Sequence, residues 1–188
     1  MDGITTILFD IDGTILNTSE FIFQATEHAL LTLGYDVPNR SVMAKNIGKP
    51  FQDYYFTLIG SKEKVEELIS IHRAFQLSNF HLSVLFPNVV ETLKALKEKG
   101  YKLAAVTSRS KITSNQTLIN VGIFDFFSVV ISSEDTKELK PSPLPLFKAL
   151  EFFGEAPDKA VMIGDSHFDV EAGKNAGTKT IRVSYGFH

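Results

Sequence analysis

An α/β fold is expected from this sequence: a doubly wound parallel sheet, interrupted after its first strand by an all-helical insert. Three observations predict it. From Phe86 onward, short apolar runs alternate with stretches of helical periodicity, the order of parallel βα units. A near-continuous apolar run at residues 4–9 supplies one further strand ahead of these units. Between Thr18 and His81 no strand pattern appears, only helical spacings. The chain therefore divides into a core of residues 1–17 and 82–188 and an insert of residues 18–81.

The first strand, "ITTILF", is bounded by turn residues and reads as covered on both faces, with Asp10 as its last residue. Asp12 falls in the turn that follows, and Gly13 permits that turn. In residues 19–33, Phe21, Ile22, Ala25, Ala29, Leu30 and Leu33 recur near helical spacing, and Gly34 is a stop. "YDVPNR" is a loop, and "IGKP" lies between two further helical pieces. Residues 61–77 are amphipathic, with Val65, Leu68, Ile69 and Ile71 set against Lys62, Glu63, Glu66 and Glu67. Then "PNVVETLKALKEKG" has proline at its start and glycine at its end, the asymmetry of a helix. "YKLAAVT", "FSVVIS", "KAVMIGD" and "TKTIRVS" read as strands. The helices between them are "SKITSNQTLINVG", "SPLPLFKALEFFG" and "HFDVEAGKNAG". The aromatic clusters "FQDYYF" and "GIFDFF" read as packing surfaces.

The bulk properties exclude several classes of function. With 188 residues the chain can bury one sizeable core plus a small accessory domain. Charged residues make up 22%, and 19 Lys and Arg against 22 Asp and Glu give a net charge of −3, which argues against nucleic acid as the main partner. The absence of cysteine excludes disulfides, thiolate metal sites and a cysteine nucleophile. "MDGITTILFD" shows no signal peptide, and no apolar stretch approaches the ~20 residues of a spanning helix, so a cytoplasmic protein without membrane contact is expected.

Ligands of open parallel sheets bind beyond the carboxyl ends of the strands. Polar residues gather at those ends: Asp10 and Asp12 after the first strand, Thr107 and Ser108 after "KLAAV", Lys140 in the loop after "FSVVIS", and Asp165 with Asp169 after "AVMI". Each has a plainer role open to it. Asp12–Gly13 makes an ordinary Asx-type turn, Thr107, Ser108, Asp165 or Ser166 can cap a helix, and Asp169 suits a first helical turn. Two carboxylates as close as Asp10 and Asp12 raise each other's pKa unless a cation lies between them. His28, His72, His81, His167 and His188 have no metal-ligand spacing. An EF-hand is excluded because Gly13 comes too early, and no Walker-type loop is present.

Taken together and in order, "DIDGT", Thr107 in "VTS", Lys140 in "LKPSP" and "GDSHFD" resemble the four motifs of the haloacid dehalogenase superfamily of phosphatases. The resemblance spans nearly the whole chain. It implies a Rossmann-like core with a helical cap domain, the latter similar to the cap of phosphoglycolate phosphatases, pyrophosphatases and β-phosphoglucomutase. It further implies an aspartyl-phosphate mechanism: Asp10 as nucleophile and Asp12 as proton donor and acceptor. Thr107 and the Ser108 amide would hold phosphoryl oxygens, and Lys140 would balance charge. Mg²⁺ would lie between Asp10 and Asp165, with Asp169 nearby and the backbone carbonyl of Asp12 as a further ligand.

The implied substrate is a small phosphorylated metabolite, a phosphoglycolate-like monoester or pyrophosphate, handled by a monomer or weak homodimer. In the cap, "IGKPFQ" is the stretch expected to reach the pocket, with Gly48 and Lys49 as substrate contacts and Gln52 beside them. The linkers near Asn17 and at residues 81–86 are the expected hinges. Asn17 stands where relatives often carry Asp. Relatives usually continue past "VSYGFH" through another strand and helix, so one sheet edge is expected to be bare, missing or covered by a partner. A phosphomutase shares the core motifs, but Thr14 resembles the hydrolases. A phospho-acceptor receiver domain lacks both the insert and "GDSHFD", and a partner-binding pseudo-enzyme would not need all four motifs.

Overall fold

A computed structural model describes residues 3–187, so His188 and the first two residues lie outside the described part. Five parallel strands form one sheet: β1 (Thr6–Phe9), β4 (Lys102–Val106), β5 (Val129–Ile131), β6 (Ala160–Gly164) and β7 (Lys179–Arg182), in the order β5-β4-β1-β6-β7. Two short strands, β2 (Leu16–Asn17) and β3 (Val84–Leu85), pair antiparallel apart from it. The sheet is doubly wound because successive strand residues point to opposite faces and both faces are apolar. On one face Ile7 and Phe9 meet Val89 and Leu93 of α5 (Val89–Glu98) and Leu118 of α6 (Lys111–Asn120). On the other, Leu8, Ala104 and Met162 meet Leu146 and Leu150 of α7 (Leu144–Phe153) and Ala172 of α8 (His167–Ala176).

Residues 19–78 hold four helices and no strand: α1 (Ser19–Thr32), α2 (Arg40–Ala44), α3 (Phe51–Ile59) and α4 (Val65–Ser78). They enclose their own apolar cluster, in which Ala29 and Leu30 of α1, Tyr54 and Tyr55 of α3, and Val65, Leu68 and Ile69 of α4 are buried. The aromatic packing surfaces expected from sequence lie in this cluster and, for Phe127, in the core. The chain enters the helical unit through β2 and leaves it through β3, with Asn17 paired to Val84 and Leu16 to Leu85. The two linkers expected to act as hinges are thus one ribbon, a pairing that no local pattern announces.

Several boundaries differ from the sequence expectation; the helix expected over residues 61–77, for one, begins at Val65. The first strand ends at Phe9 rather than Asp10, although the Asp10 amide still donates to the Ile163 carbonyl at 2.9 Å. The helix expected from Ser142 begins at Leu144, where Pro143 caps it and Pro145 sits in its first turn. Among the described residues, strand β7 is hydrogen-bonded to β6 on one side only, and Ile181 on it is exposed. Among the described residues, no helix is long and apolar enough to cross a membrane.

Candidate active site

Because β1 lies between β4 and β6, the residues that follow these three strands are neighbours in space. Asp10, Thr107 and Asp165 emerge side by side, all buried. Lys140 arrives from the loop ahead of α7. Its ammonium donates to Asp10 Oδ1 at 2.7 Å, Asp169 Oδ1 at 2.6 Å and the Val106 carbonyl at 2.9 Å, which uses all three of its protons. Burial alone would lower the pKa of this ammonium. Asp10 and Asp169, both hydrogen-bonded to it, outweigh burial and hold the pKa above the usual lysine range. Burial also pushes the Asp10 carboxyl well above the ordinary carboxylate range; Lys140 pulls it down, while Asp169, Asp12 and Asp165 push it up again.

Helix α8 begins directly behind this cluster. Ser166 caps it: its Oγ accepts from the Asp169 amide at 3.3 Å. Asp169 Oδ2 in turn accepts from the Ser166 amide at 3.1 Å and from its hydroxyl at 2.6 Å. The plain capping role open to Ser166 and the charged role expected of Asp169 are therefore filled by the same residues at once. Two glycines make the crowding possible. A Cβ on Gly164 would lie 2.2 Å from Asp169 Cγ, and one on Gly13, at φ +75°, would lie 2.3 Å from Asp165 Oδ2.

Asp12 stands apart from the Lys140 cluster. Its carboxylate accepts from the Thr18 hydroxyl at 2.6 Å and pairs with Arg109 Nε at 3.3 Å. Asp10, Asp165 and Asp169 instead offer oxygens that all lie within 4.8 Å of one another. These three carboxylates gather around one buried ammonium, which pairs with Asp10 and Asp169, so acidic groups outnumber the lysine in the cluster. A divalent cation would suit such a cluster, and an all-oxygen donor set suits a hard one. The residues present therefore fit the metal that the motifs imply.

Over this sheet end the helical unit closes a cavity of about 790 Å³, counting its open mouth. It brings together Asp10, Asp12, Gly48, Lys49, Thr107, Ser108, Lys140 and Asp165, while Asp169 stands behind the lining and touches it through Lys140. Gln52, expected near the pocket, does not line it: the side chain is on the exposed face of α3, one position past Phe51, which does. Phe51 and Tyr54 thus serve the cavity as well as the cap's packing. Sequence reasoning missed Arg109, Thr18, Gln76, Phe168 and Phe187. Arg109 had a local signal, since it follows "VTS" in the strand-end segment; the other four are brought in only by folding. The Phe187 amide donates to Asp165 Oδ2 at 2.7 Å.

A profile of the haloacid dehalogenase-like hydrolases matches residues 7–183. A pyrophosphatase PpaX of Bacillus cereus is 38% identical over 183 residues, which cover 97% of this chain and 84% of that one. A haloacid dehalogenase-like family hydrolase from Streptococcus pneumoniae superposes with a TM-score of 0.90 at 28% identity, over 100% of this chain and 88% of that one. A protein described as a predicted phosphoglycolate phosphatase from Haemophilus somnus does so with 0.90 at 27% identity, over 99% and 88%.

Proposed function

The chain belongs to the haloacid dehalogenase-like hydrolases, and we propose that it is a Mg²⁺-dependent phosphatase of small phosphorylated metabolites acting through an aspartyl-phosphate. One observation carries this reading: Lys140 lies within hydrogen-bond distance of both Asp10 and Asp169, with Asp165 beside them, at the end of adjacent parallel strands. Pyrophosphate and phosphoglycolate-like monoesters are the substrates of choice, by similarity to relatives whose names carry those activities. The chain acts in the cytoplasm, as a monomer or weak homodimer.

Asp10 attacks phosphorus through the oxygen that Lys140 does not hold. The bond to the leaving oxygen breaks, and Asp12 gives that oxygen a proton. Water then attacks the phosphorus of the aspartyl-phosphate as Asp12 takes a proton back, and Asp10 leaves as carboxylate. Thr107 and the Ser108 amide hold phosphoryl oxygens, and Lys140 offsets their charge. Mg²⁺, bound by Asp10, Asp165 and the Asp12 carbonyl with Asp169 beside them, would add further compensation of phosphoryl charge.

A phosphate-release assay with Mg²⁺ on pyrophosphate and phosphoglycolate tests the proposal, run on wild type and Asp10→Asn. Circular dichroism checks that the variant is folded. The variant is expected to lose at least about a thousandfold in turnover, as removal of a nucleophile does. Turnover near wild type in folded Asp10→Asn would remove Asp10 as nucleophile.

A further inference from the structure

Arg109 is the second buried cation of the cavity, and the mechanism above gives it no part. Its side chain is only 8% exposed, yet it lines the cavity. Three of its groups are held: the amide donates to Thr107 Oγ1 at 3.1 Å, Nη1 donates to Thr117 Oγ1 at 3.0 Å, and Nε faces Asp12 at 3.3 Å. The guanidinium plane lies 4.6 Å from the ring centre of Phe21 in α1. Nη2 is buried and has no hydrogen-bond partner among the described residues. A buried donor without an acceptor is costly and uncommon, and this one belongs to a group that stays charged under all ordinary conditions.

We propose that Arg109 Nη2 binds a second anionic group on the substrate, a phosphate or carboxylate carried by the leaving group. The inference rests on the phosphatase reading for its direction. The phosphoryl group belongs beside Asp10, Thr107 and Lys140. Arg109 instead sits on Asp12, the residue assigned to the leaving oxygen, so an acceptor reaching Nη2 is attached beyond that oxygen. The opposite wall is compatible with a further anion. Lys49 Nζ has one contact there, with Thr57 Oγ1 at 3.5 Å, the outer limit of a hydrogen bond. The Gln76 side chain also lines the cavity. Planar guanidinium groups suit phosphate and carboxylate oxygens through paired hydrogen bonds, so lysine at this position would not be equivalent.

The test compares wild type, Arg109→Lys and Arg109→Gln on three substrates with Mg²⁺: pyrophosphate, phosphoglycolate, and p-nitrophenyl phosphate, whose leaving group carries no phosphate or carboxylate. Loss of one charge-assisted contact corresponds to about a 10- to 100-fold drop in kcat/KM on pyrophosphate and phosphoglycolate, whose leaving groups carry a second anion, mostly through KM. The drop on p-nitrophenyl phosphate, which reads only the disturbed pairing with Asp12, should be smaller than this by at least about tenfold. Comparing pyrophosphate with phosphoglycolate tells whether the second anion is phosphate or carboxylate. An equal drop on all three substrates would overturn the proposal and leave Arg109 as a support for Asp12. Calorimetric binding of methylenediphosphonate, phosphonoacetate and methylphosphonate to the same proteins does not depend on turnover. A preference of wild type for the two ligands that carry a second anionic group, lost in Arg109→Gln, supports the subsite even if no substrate is hydrolysed, in which case only the phosphatase reading fails. No such preference in wild type, or its persistence in Arg109→Gln, overturns the subsite.

Discussion

The core wall of the cavity carries Asp10, Thr107, Lys140 and Asp165, whereas the cap wall carries Gly48, Lys49, Phe51, Tyr54 and Gln76. On the core side, polar atoms are tied to partners far away in sequence, as Lys140 is to Asp10 and Asp169. Each ion there is buried, and a buried ion left unpaired is costly, so the set is held rigidly or not at all. On the cap side the lining is aromatic or only loosely bonded. Its order comes from apolar packing among α1, α3 and α4 behind it, which fixes helices more tightly than the polar tips they present. The contrast suggests a division of labour that we propose for the family fold here: chemistry on the rigid wall, choice of substrate on the adaptable one, joined by the β2–β3 ribbon as hinge.

The contrast can be broken most severely at the core wall. Asp165→Asn keeps the size of the side chain but removes one charge from the carboxylate cluster. The Mg²⁺ concentration for half-maximal activity is expected to rise at least about tenfold, on the scale of lost metal-site contacts. A Mg²⁺ titration of activity checks this, and an unchanged midpoint would take Asp165 out of the metal site.

A second prediction concerns how the cap is held together. His72 is fully buried, its Nδ1 is 2.8 Å from the Tyr55 hydroxyl, and its Nε2 has no partner among the described residues. Burial, with Arg109 and Arg73 adding to it, lowers its pKa to about 3. The folded state therefore holds the neutral ring, whereas the unfolded chain protonates it below about 6.5. The His72 contribution is complete above pH 6.5 and is lost as pH falls toward 3, at about 1.4 kcal/mol per pH unit. Thermal unfolding at several pH values between 7 and 4, for wild type and His72→Gln, reads this out. Wild type should be the more stable at pH 7, and the gap should shrink steadily in acid. Parallel pH slopes in the two proteins would show that His72 does not titrate on unfolding.

The smallest effect is expected at the cap loop. Lys49→Ala should change the ranking of pyrophosphate, phosphoglycolate and p-nitrophenyl phosphate by a few-fold, roughly the weight of one partly solvated contact. Gln52→Ala, on the exposed face of α3, should leave the ranking as it is. Uniform changes across the panel in Lys49→Ala would mean that this loop does not choose the substrate.

Much of the site was legible because its chemistry sits at strand ends, and strand ends are marked locally. Asp10, Thr107 and Asp165 each follow a short apolar run, so their addresses could be read before their neighbours were known. Lys140 was legible only through its motif, since a loop lysine is otherwise unremarkable. Arg109 carried a local signal in its place after "VTS", but only burial and a missing acceptor reveal that its guanidinium is unusual. Gln76 and Phe187 carry no signal at all: one sits within an amphipathic helix, the other in a segment without periodicity.

Periodicity, helix punctuation and the order of polar strand ends pointed, from sequence alone, to the α/β class, the helical insert and the polar residues gathered at the strand ends. These are properties of short segments, where the spacing of apolar residues dictates which face is buried. Only the tertiary structure decided that β1 lies between β4 and β6, that the two linkers pair as a ribbon, and that Asp12 turns to Arg109 and Thr18 while Lys140 joins Asp10 and Asp169. Strand order and the partner of a buried charge are settled by competition among segments distant in the chain. The winner is the packing that leaves the fewest ions and polar atoms unpaired, and no local stretch of sequence contains that comparison.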